Sequence, residues 1–324
     1  MTGKILVVDD DATNRELLEE LLRSNSFDVV TARDGREAID TFGQRQPDLV
    51  LLDAVMPGLD GFEVCRELKG RPESRLTPIV LVTGLSDVED RVRGMEADAD
   101  DYLQKPVNPG ELLARVRSLL RLKHYTDELE RAELVLMALA RSIEAKDPYT
   151  EGHCERLSNL SVDLGRRLGL PADELEALRR GGTVHDIGKV MVPDCILLKP
   201  GPLTTQERKI MREHPVIGER ICAPLKSFRL VLPIIRHHHE KMDGSGYPDG
   251  LKGDSIPLTA RILQLVDVYD ALTTQRPYKL AFPPKMALKT MEEEVRRGWW
   301  DPDIFAQFRE LAVTRKETNL VSQP

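Results

Sequence analysis

The N-terminal part of the chain alternates short apolar runs with stretches of helical periodicity. Five of these runs are nearly continuous in Val, Leu and Ile, as expected of strands that are buried on both faces of a parallel sheet. We therefore predict an α/β domain over residues 1–122, built on a doubly wound sheet of five parallel strands. The runs are KILVVDD, FDVVTA, DLVLLDAVMPG, PIVLVTG and DDYLQKP.

A single helical pattern continues through residues 123–146, which we predict to be a connecting helix. The longer segment from Pro109 to Lys146, which includes this stretch, is rich in Leu, Glu, Arg and Ala and contains no glycine or proline after Gly110. This composition favours one long helix. Some of its apolar residues step by three and four, as in a coiled coil. The pattern is consistent with a homodimer through this seam and equally with packing of the seam on the second domain. The seam comprises Leu129, Ala132, Leu136, Leu139 and Ile143.

Strand patterns stop at about residue 147, and helical patterns separated by proline-marked loops follow. We predict an all-α domain over residues 147–313 and a polar, disordered tail over residues 314–324. Gly181 and Gly182 interrupt one of the helical stretches. Because glycine disfavours the helical conformation, we expect these two residues to soften that helix.

Composition excludes several classes of protein. The chain has 324 residues, enough for two domains, and its net charge of -8 argues against a DNA-binding surface. No apolar run is long enough to span a membrane, and the segment MTGKILVVDD has no signal-peptide core. We therefore expect a cytoplasmic protein without membrane insertion. The four cysteines form no CxxC pair, so neither a disulfide framework nor a thiolate zinc site is expected.

Carboxylates follow the first and third strands of the predicted sheet. Asp9 and Asp10 end the first strand and Asp53 ends the third, and the carboxyl ends of parallel strands lie at one edge of the sheet. Three converging carboxylates repel each other unless a divalent cation lies among them, and oxygen ligands suit Mg²⁺. With Mg²⁺ and Lys105 neutralising phosphoryl oxygens, Asp53 could attack phosphorus and form an aspartyl phosphate. Thr83 could then donate a hydrogen bond to the phosphoryl group.

These residues, in this order, resemble the receiver domain of response regulators, whose sheet is flavodoxin-like. The resemblance covers residues 3–122 and implies that Asp53 is the phosphoacceptor of a sensor histidine kinase. It also implies that Mg²⁺ is bound by Asp10, Asp53 and the backbone carbonyl of Val55, with Asp9 assisting. The remaining switch residues implied by the resemblance are Thr83, Tyr102 and Lys105.

Six of the seven histidines lie beyond residue 147 and are interspersed with aspartates. Neutral imidazoles with a few carboxylates suit Fe, Mn, Ni, Co or Zn, and a carboxylate can bridge two such ions. A bridged pair generates hydroxide at neutral pH and stabilises in-line displacement at phosphorus, so the predicted chemistry is phosphoester hydrolysis. In VHDIGK, Lys189 follows His185 and Asp186 by about one helical turn and could contact a substrate phosphate. The full pattern is His153, His185, Asp186, His214, His237, His238, His239 and Asp267.

The second half resembles the HD-GYP domain, the branch of the HD phosphohydrolases that cleaves cyclic di-GMP. The resemblance implies cyclic di-GMP as substrate and a metal-bridging hydroxide as nucleophile. It implies pGpG as product, or GMP on further hydrolysis. The matching segments are HDIGK, KPGPLTTQE, REHPVIGERI, HHEKMDGSGYPDGLKGDSIPLTARILQLVDVYDALTTQRPYK and WDPDIFAQF.

The same resemblance assigns ligands to two divalent transition metal ions, with Asp186 bridging them. Members with a third metal have a glutamate four residues before the first histidine, where this chain has Tyr149, so we expect two ions. The first ion would be held by His153, His185, Asp186 and Asp267, and the second by Asp186, His214, His238 and His239.

Further residues are assigned to the substrate and to partners by the resemblance. Lys189, Arg276 and Lys279 would bind substrate phosphates. The turn that contains Gly246, Tyr247 and Pro248 would lie at the mouth of the site, and in the family this turn is also linked to the recruitment of GGDEF-domain partners.

Three consecutive histidines cannot all face one site, because neighbouring helical side chains point about 100° apart. With Ile234, Ile235 and His238 facing inward, His239 lies about 90° to one side and His237 about 110° to the other. We therefore predict that His237 binds no metal.

The sequence favours a phosphorylation-controlled cyclic di-GMP phosphodiesterase and leaves two alternatives open. One is a catalytically weak scaffold that binds cyclic di-GMP or GGDEF-domain proteins. The other is a hydrolase of a different cyclic dinucleotide. A transcription regulator is disfavoured, because no helix-turn-helix or basic face follows the first domain.

Overall fold

The computed structural model describes residues 3–84, 97–146, 152–275 and 281–321, the side chains of residues 315–321 excepted. The chain divides into two compact units, residues 1–132 and 133–324. Within the described residues, no helix combines the length and the apolar character that a membrane crossing requires.

The first unit contains a five-stranded sheet in which every neighbouring pair of strands is parallel. The strand order is β2-β1-β3-β4-β5, so the prediction of a doubly wound parallel sheet is confirmed. The strands are β1 (Lys4–Val8), β2 (Asp28–Ala32), β3 (Leu49–Asp53), β4 (Ile79–Thr83) and β5 (Asp101–Gln104).

Alternate residues of the central strands are buried in two cores, one on each face of the sheet. Leu49 and Leu51 belong to one core, while Val50 and Leu52 belong to the other. This double burial explains the continuous apolar runs, because every position of the central strand β3 is buried. The flanking helices begin after capping aspartates, whose carboxylates accept backbone N–H groups of the first turn. These helices are α1 (Ala12–Ser24), α2 (Gly35–Arg45) and α3 (Gly61–Gly70).

The connecting helix α4 spans Pro109–Glu144 and has side chains in both units. Near its start, Leu112 and Val116 are buried in the core of the first unit. Near its end, Ala140 is buried in the core of the second unit. The predicted long helix is thus confirmed.

The predicted seam of α4 divides between the two outcomes that the sequence left open. Leu136 and Ile143 pack against the core of the second unit. Leu129 and Leu139 are each 54% exposed. Packing on the second domain therefore accounts for part of the seam, and the exposed part leaves the homodimer as a prediction.

The second unit is helical, as predicted, and its large core includes Phe228, Ile262 and Phe308. The last helix continues to Val321. The prediction of a disordered tail over residues 314–324 is therefore wrong for residues 314–321. The helices are α5 (His153–Arg167), α6 (Ala172–Val184), α7 (Asp194–Leu197), α8 (Thr205–Met211), α9 (His214–Cys222), α10 (Leu232–His237), α11 (Leu258–Thr273), α12 (Pro284–Arg296) and α13 (Pro302–Val321).

Gly181 and Gly182 do not interrupt α6, contrary to the expectation that they would soften it. Both are buried, and each lies where another element approaches closely. A Cβ atom on Gly182 would come within 2.6 Å of the backbone nitrogen of Ser158 in α5, and one on Gly181 would meet Ile234 at 2.9 Å. These glycines therefore permit close packing of α6, which carries His185 at its end.

We expect Gly182→Ala to lower the free energy of unfolding by about 1–3 kcal/mol, because α5 and α6 must separate to admit the methyl group. Urea unfolding followed by circular dichroism measures this change. A suitable control is Gly43→Ala in α2, where a Cβ would meet nothing within 4 Å. That substitution should be neutral or should stabilise by up to about 1 kcal/mol. Equal effects of the two substitutions would contradict the packing explanation.

Candidate functional site

At the carboxyl edge of the sheet, Lys105 connects two buried carboxylates. Its Nζ donates to Asp53 Oδ2 at 2.7 Å and to Asp9 Oδ2 at 3.0 Å. Asp10 is exposed, but it can bring an oxygen within 4.8 Å of the other two carboxylates. Burial raises the pKa of Asp53, although Lys105 opposes the shift. The structure thus brings together the three predicted carboxylates and the predicted lysine.

The other residues assigned to this site lie in or shortly after strands β3, β4 and β5. The backbone N–H of Val55 lies 3.3 Å from Asp53 Oδ1. Thr83 ends β4, and its carbonyl accepts the N–H of Lys105 at 2.8 Å. Tyr102 lies in β5, and its hydroxyl is buried without a hydrogen-bond partner among the residues that the structure describes.

In the second unit, the ends of several helices deliver histidines to one place. His185 follows the last residue of α6, His238 follows the last residue of α10, and His214 is the first residue of α9. His153 likewise begins α5. Asp267 alone comes from the middle of a helix, α11.

Asp186 lies at the centre of the first group of ligands. Its Oδ1 is 3.1 Å from His214 Nε2 and 3.8 Å from His238 Nε2. With His239 these residues can place one donor atom each within 4.8 Å of one another. The second group, His153, His185 and Asp267, meets the same criterion. His185 Nε2 lies 3.3 Å from Asp186 Oδ2, so Asp186 adjoins both groups.

The hydrogen bonds of three imidazoles show that this arrangement suits a cation. The Nδ1 atoms of His185, His214 and His238 lie 2.7–3.2 Å from backbone carbonyls three residues earlier in the chain. Each Nδ1 must therefore carry the proton, which leaves the Nε2 lone pair facing Asp186.

These lone pairs meet further acceptors rather than donors. His214 Nε2 and His238 Nε2 face each other at 3.3 Å. In the described part of the chain, His185 Nε2 and Asp186 Oδ1 are buried without a well-formed hydrogen bond. Since imidazole lone pairs that converge on one another and on a carboxylate need positive charge between them, the residues fit one or more metal ions.

Electrostatics agree with this fit. Burial lowers the pKa values of His238 and His239 well below the usual histidine range, so both imidazoles are neutral ligands. Burial would raise the pKa of Asp186, but Lys189 and His185 outweigh it and hold the pKa well below its usual range. Burial would also lower the pKa of His185, but Asp186 outweighs it and raises that pKa. The site therefore contains an ionised carboxylate, Asp186, beside two neutral imidazoles, those of His238 and His239, which are the protonation states that metal binding requires of these three groups.

Asp270 was not predicted from the sequence, yet it fixes the ring of His153. Its Oδ2 accepts from His153 Nδ1 at 2.7 Å, and Arg156 Nε donates to its Oδ1 at 2.6 Å. His153 Nε2 is left facing Asp267, at 3.5 Å. A carboxylate behind a ligating imidazole is the usual arrangement at protein metal sites.

A cavity of about 250 Å³ opens beside these groups. It is lined by residues of both groups, including Asp186 and His239, and by Lys189. Lys189 Nζ donates to Asp186 Oδ2 at 2.5 Å, and its side chain is 29% exposed. This ammonium therefore lies where an anionic ligand in the cavity would meet it.

The turn that contains Gly246, Tyr247 and Pro248 lies against the ligand His239. The ring of Tyr247 stacks on His239 with 4.7 Å between ring centroids. The guanidinium of Arg212 lies over the Tyr247 ring, 5.0 Å from its centroid. Gly246 makes the approach possible, because a Cβ there would come within 2.4 Å of the backbone of Glu240.

Glu240 is a second residue that sequence reasoning missed. It is completely buried, and its carboxylate accepts the N–H groups of Asp249, Gly250 and Leu251 at 2.7–3.0 Å. Glu240 directly follows His239, so these hydrogen bonds connect the segment after the turn to the predicted ligands His238 and His239. Its position directly after the predicted ligands His238 and His239 was the signal that the sequence offered.

His237 lies apart from both groups of ligands. Its Nδ1 is 3.4 Å from Asp249 Oδ2, and burial lowers its pKa. Asp249 in turn accepts two hydrogen bonds from Arg236. His237 thus faces the loop that follows the turn. Arg276, Lys279 and Tyr149, which also entered the predictions, lie outside the described residues.

Comparison with known proteins gives matches for both halves of the chain. A family model described as response regulator receiver domain matches residues 5–117. A second model, described as HD domain, matches residues 137–304.

Two relatives match most of this chain. The Cyclic di-GMP phosphodiesterase response regulator RpfG of Xanthomonas campestris pv. campestris (strain 8004) is 38% identical over 307 residues, which are 88% of this chain and 81% of that protein. A Cyclic di-GMP phosphodiesterase of Thermotoga maritima is 31% identical over 335 residues, or 95% of this chain and 90% of that protein.

A third relative matches over a shorter stretch. The 3'3'-cGAMP-specific phosphodiesterase 3 of Vibrio cholerae serotype O1 is 38% identical over 177 residues, which are 55% of this chain and 38% of that protein. The two family models and the extent of the first two matches lead to one conclusion: the chain belongs to the family of response regulators that join a receiver domain to an HD domain.

Proposed function

We propose that this protein is a metal-dependent phosphodiesterase that hydrolyses cyclic di-GMP to pGpG, or further to GMP, under control of phosphorylation at Asp53. The observation that carries the proposal is the shared carboxylate of Asp186, which adjoins two groups of metal-binding residues. The names of the relatives support cyclic di-GMP as substrate.

The site's own residues account for most of what the reaction needs. Two divalent ions, when bound, would supply a hydroxide nucleophile at neutral pH and stabilise charge on the phosphate. Asp186 would bridge them, with His153, His185 and Asp267 on one side and His214, His238 and His239 on the other. Buried imidazoles held at Nδ1 keep their lone pairs oriented, so little reorganisation is needed when the ions bind.

Lys189 and the stacked rings of His239 and Tyr247 are suited to contact the substrate. The Lys189 ammonium can exchange its contact with Asp186 for a phosphate oxygen, since its side chain is partly exposed. Tyr247 closes the side of the site next to His239. Arg276 and Lys279 stay proposed phosphate-binding residues, on the resemblance alone.

A second candidate substrate is 3'3'-cGAMP, and the Vibrio cholerae relative is the observation that favours it. The two cyclic dinucleotides present the same phosphodiester to the metals and differ only in one base. The contacts around Asp186 therefore suit both. Competition between equal concentrations of the two substrates, followed by chromatography, would decide between them.

The first unit supplies the means of control. Asp53 would bind Mg²⁺ together with Asp10 and the Val55 carbonyl, and it would accept a phosphoryl group from a sensor histidine kinase. Lys105, which pairs with Asp53 and Asp9, would then neutralise the phosphoryl oxygens. A homodimer through exposed residues of α4 such as Leu129 and recruitment of GGDEF-domain proteins by the turn around Tyr247 are further proposals.

Asp186→Ala should lower the rate of cyclic di-GMP hydrolysis on the order of 100-fold or more, because both groups of residues lose their common ligand. His238→Ala and His239→Ala should behave similarly, whereas His237→Ala should retain most activity. Product chromatography and metal analysis of the purified variants measure the two effects. Turnover by Asp186→Ala equal to that of the wild type would contradict the mechanism.

Asp270→Asn should weaken metal binding about 10- to 100-fold, because the neutral amide no longer holds the proton on His153 Nδ1. Metal titration by calorimetry measures the loss. Asp301→Asn is a matched control, since Asp301 also pairs with an arginine, Arg261, at 2.8 Å, but belongs to neither group of ligands. A similar loss in the control would indicate general destabilisation instead.

Beryllofluoride with Mg²⁺ mimics a phosphoryl group on Asp53 and should change turnover of cyclic di-GMP about fivefold or more, the usual scale of coupling between sites. The reason is that Lys105 must leave its present contact with the free Asp53 carboxylate. Asp53→Asn should abolish the response without removing basal hydrolysis. Identical rates with and without beryllofluoride in the wild type would remove the regulatory part of the proposal.

A further inference from the structure

The end of the connecting helix forms part of the wall of the candidate metal centre. Ala140, Ile143 and Glu144, from the last two turns of α4, line the 250 Å³ cavity together with His153 and Asp267. The helix that begins in the core of the first unit thus ends beside two proposed metal ligands. Of the three residues that α4 contributes to the cavity lining, Glu144 is the charged one, and it is the last residue of the helix.

The N-cap position of helix α5 offers no side chain that could accept a hydrogen bond. Its N-cap residue is Gly152, whose φ is 70°, and no side chain from that position accepts a hydrogen bond from the first turn. Glu144 supplies the missing acceptor, because its Oε1 accepts the backbone N–H of Cys154 at 2.9 Å. The negative charge also lies at the positive end of the α5 dipole, where it is stabilising.

The turn that Glu144 caps carries the ligand His153. That residue is the first of α5 and adjoins Cys154, and its two ring nitrogens face Asp270 and Asp267. The direction in which His153 presents Nε2 therefore depends on the placement of the first turn. Glu144 fixes that turn from the connecting helix.

We propose that Glu144 is a positioning residue that holds His153 in the metal centre, and that through this contact the state of the first unit alters metal binding in the second. The inference deepens the proposed function and rests on it for the role of the metal. Glu144 need not touch the substrate or the ions for this effect.

The length, composition and packing of α4 support the transmission of a displacement from the first unit to Glu144. The helix runs from Pro109 to Glu144 and contains no glycine or proline after Gly110, so it has no site at which a bend is favoured. Leu112 is buried in the first core and Ala140 in the second. A hydrogen bond of normal length is lost when its atoms separate by roughly another 1 Å. A small displacement of the helix end would therefore release the first turn of α5.

Three variants of the full chain test the proposal. Glu144→Ala removes the acceptor, while Glu144→Gln keeps an oxygen that can accept the same N–H. Glu133→Ala is the matched control, because Glu133 lies on the same helix and pairs with Arg180 of the second unit at 3.4 Å without lining the cavity. Each protein is titrated with Mn²⁺ in saturating Mg²⁺, with and without beryllofluoride, and free Mn²⁺ is measured by electron paramagnetic resonance.

We expect Glu144→Ala to bind Mn²⁺ about tenfold more weakly than the wild type and to lose the effect of beryllofluoride on Mn²⁺ affinity. Glu144→Gln and Glu133→Ala should stay within about threefold of the wild type, less than the smallest loss usual for a residue behind a ligand. Wild-type affinity in Glu144→Ala, or equal losses in Glu144→Ala and Glu144→Gln, would overturn the positioning role. A wild-type affinity that beryllofluoride leaves unchanged would overturn the link to the first unit.

These outcomes are separable from failure of the proposed function. The titration reports metal binding directly and requires no turnover of any cyclic dinucleotide. If the wild type does not hydrolyse cyclic di-GMP, the substrate assignment fails, and the Mn²⁺ affinities still decide the role of Glu144.

Discussion

The second unit is organised around one constraint, the placement of the half-buried, ionised carboxylate of Asp186 among imidazole side chains. A buried charge costs several kcal/mol unless it is paired and hydrogen-bonded. Here the partners are delivered by helix ends, and three of the histidines use the same local device: Nδ1 bonds to the carbonyl three residues earlier. Such a bond orients the ring before any ion binds. The convergence is thus built into the backbone at each helix end.

Glycines let these helix ends approach closely enough. A Cβ on Gly188, two residues after Asp186, would come within 1.9 Å of the carbonyl oxygen of His214. A Cβ on Gly182, three residues before His185, would meet the backbone of Ser158 at 2.6 Å. Small residues next to ligands are therefore a packing requirement of this site. Any larger side chain at either position would force a segment that carries a predicted ligand to shift.

The sequence sufficed for the elements whose burial is periodic and for ligands that share a local motif. The strands were predictable because both faces are buried, and His237 was separable from His238 because neighbouring side chains diverge. Asp270 was within reach of the same reasoning, since it lies one helical turn after Asp267 and so on the same side of α11. The contact of Glu144 with Cys154 was not, because it depends on how α4 packs against α5. Gly181 and Gly182 were misjudged for the same reason: helix propensity was considered without the neighbouring helix.

The two acidic sites of this chain differ in how far lysine side chains neutralise their carboxylates. At the edge of the sheet, Lys105 already donates to Asp53 and Asp9, so the carboxylates are partly neutralised without an ion. At the helical site, Lys189 contacts Asp186 Oδ2, whereas the Nε2 lone pairs of His214 and His238 face each other. Positive charge from the chain itself therefore reaches both carboxylates of the first site but not the facing lone pairs of the second. Under the proposed function, an exchangeable Mg²⁺ would suit a phosphorylation switch, and a retained metal pair would suit a hydrolytic centre.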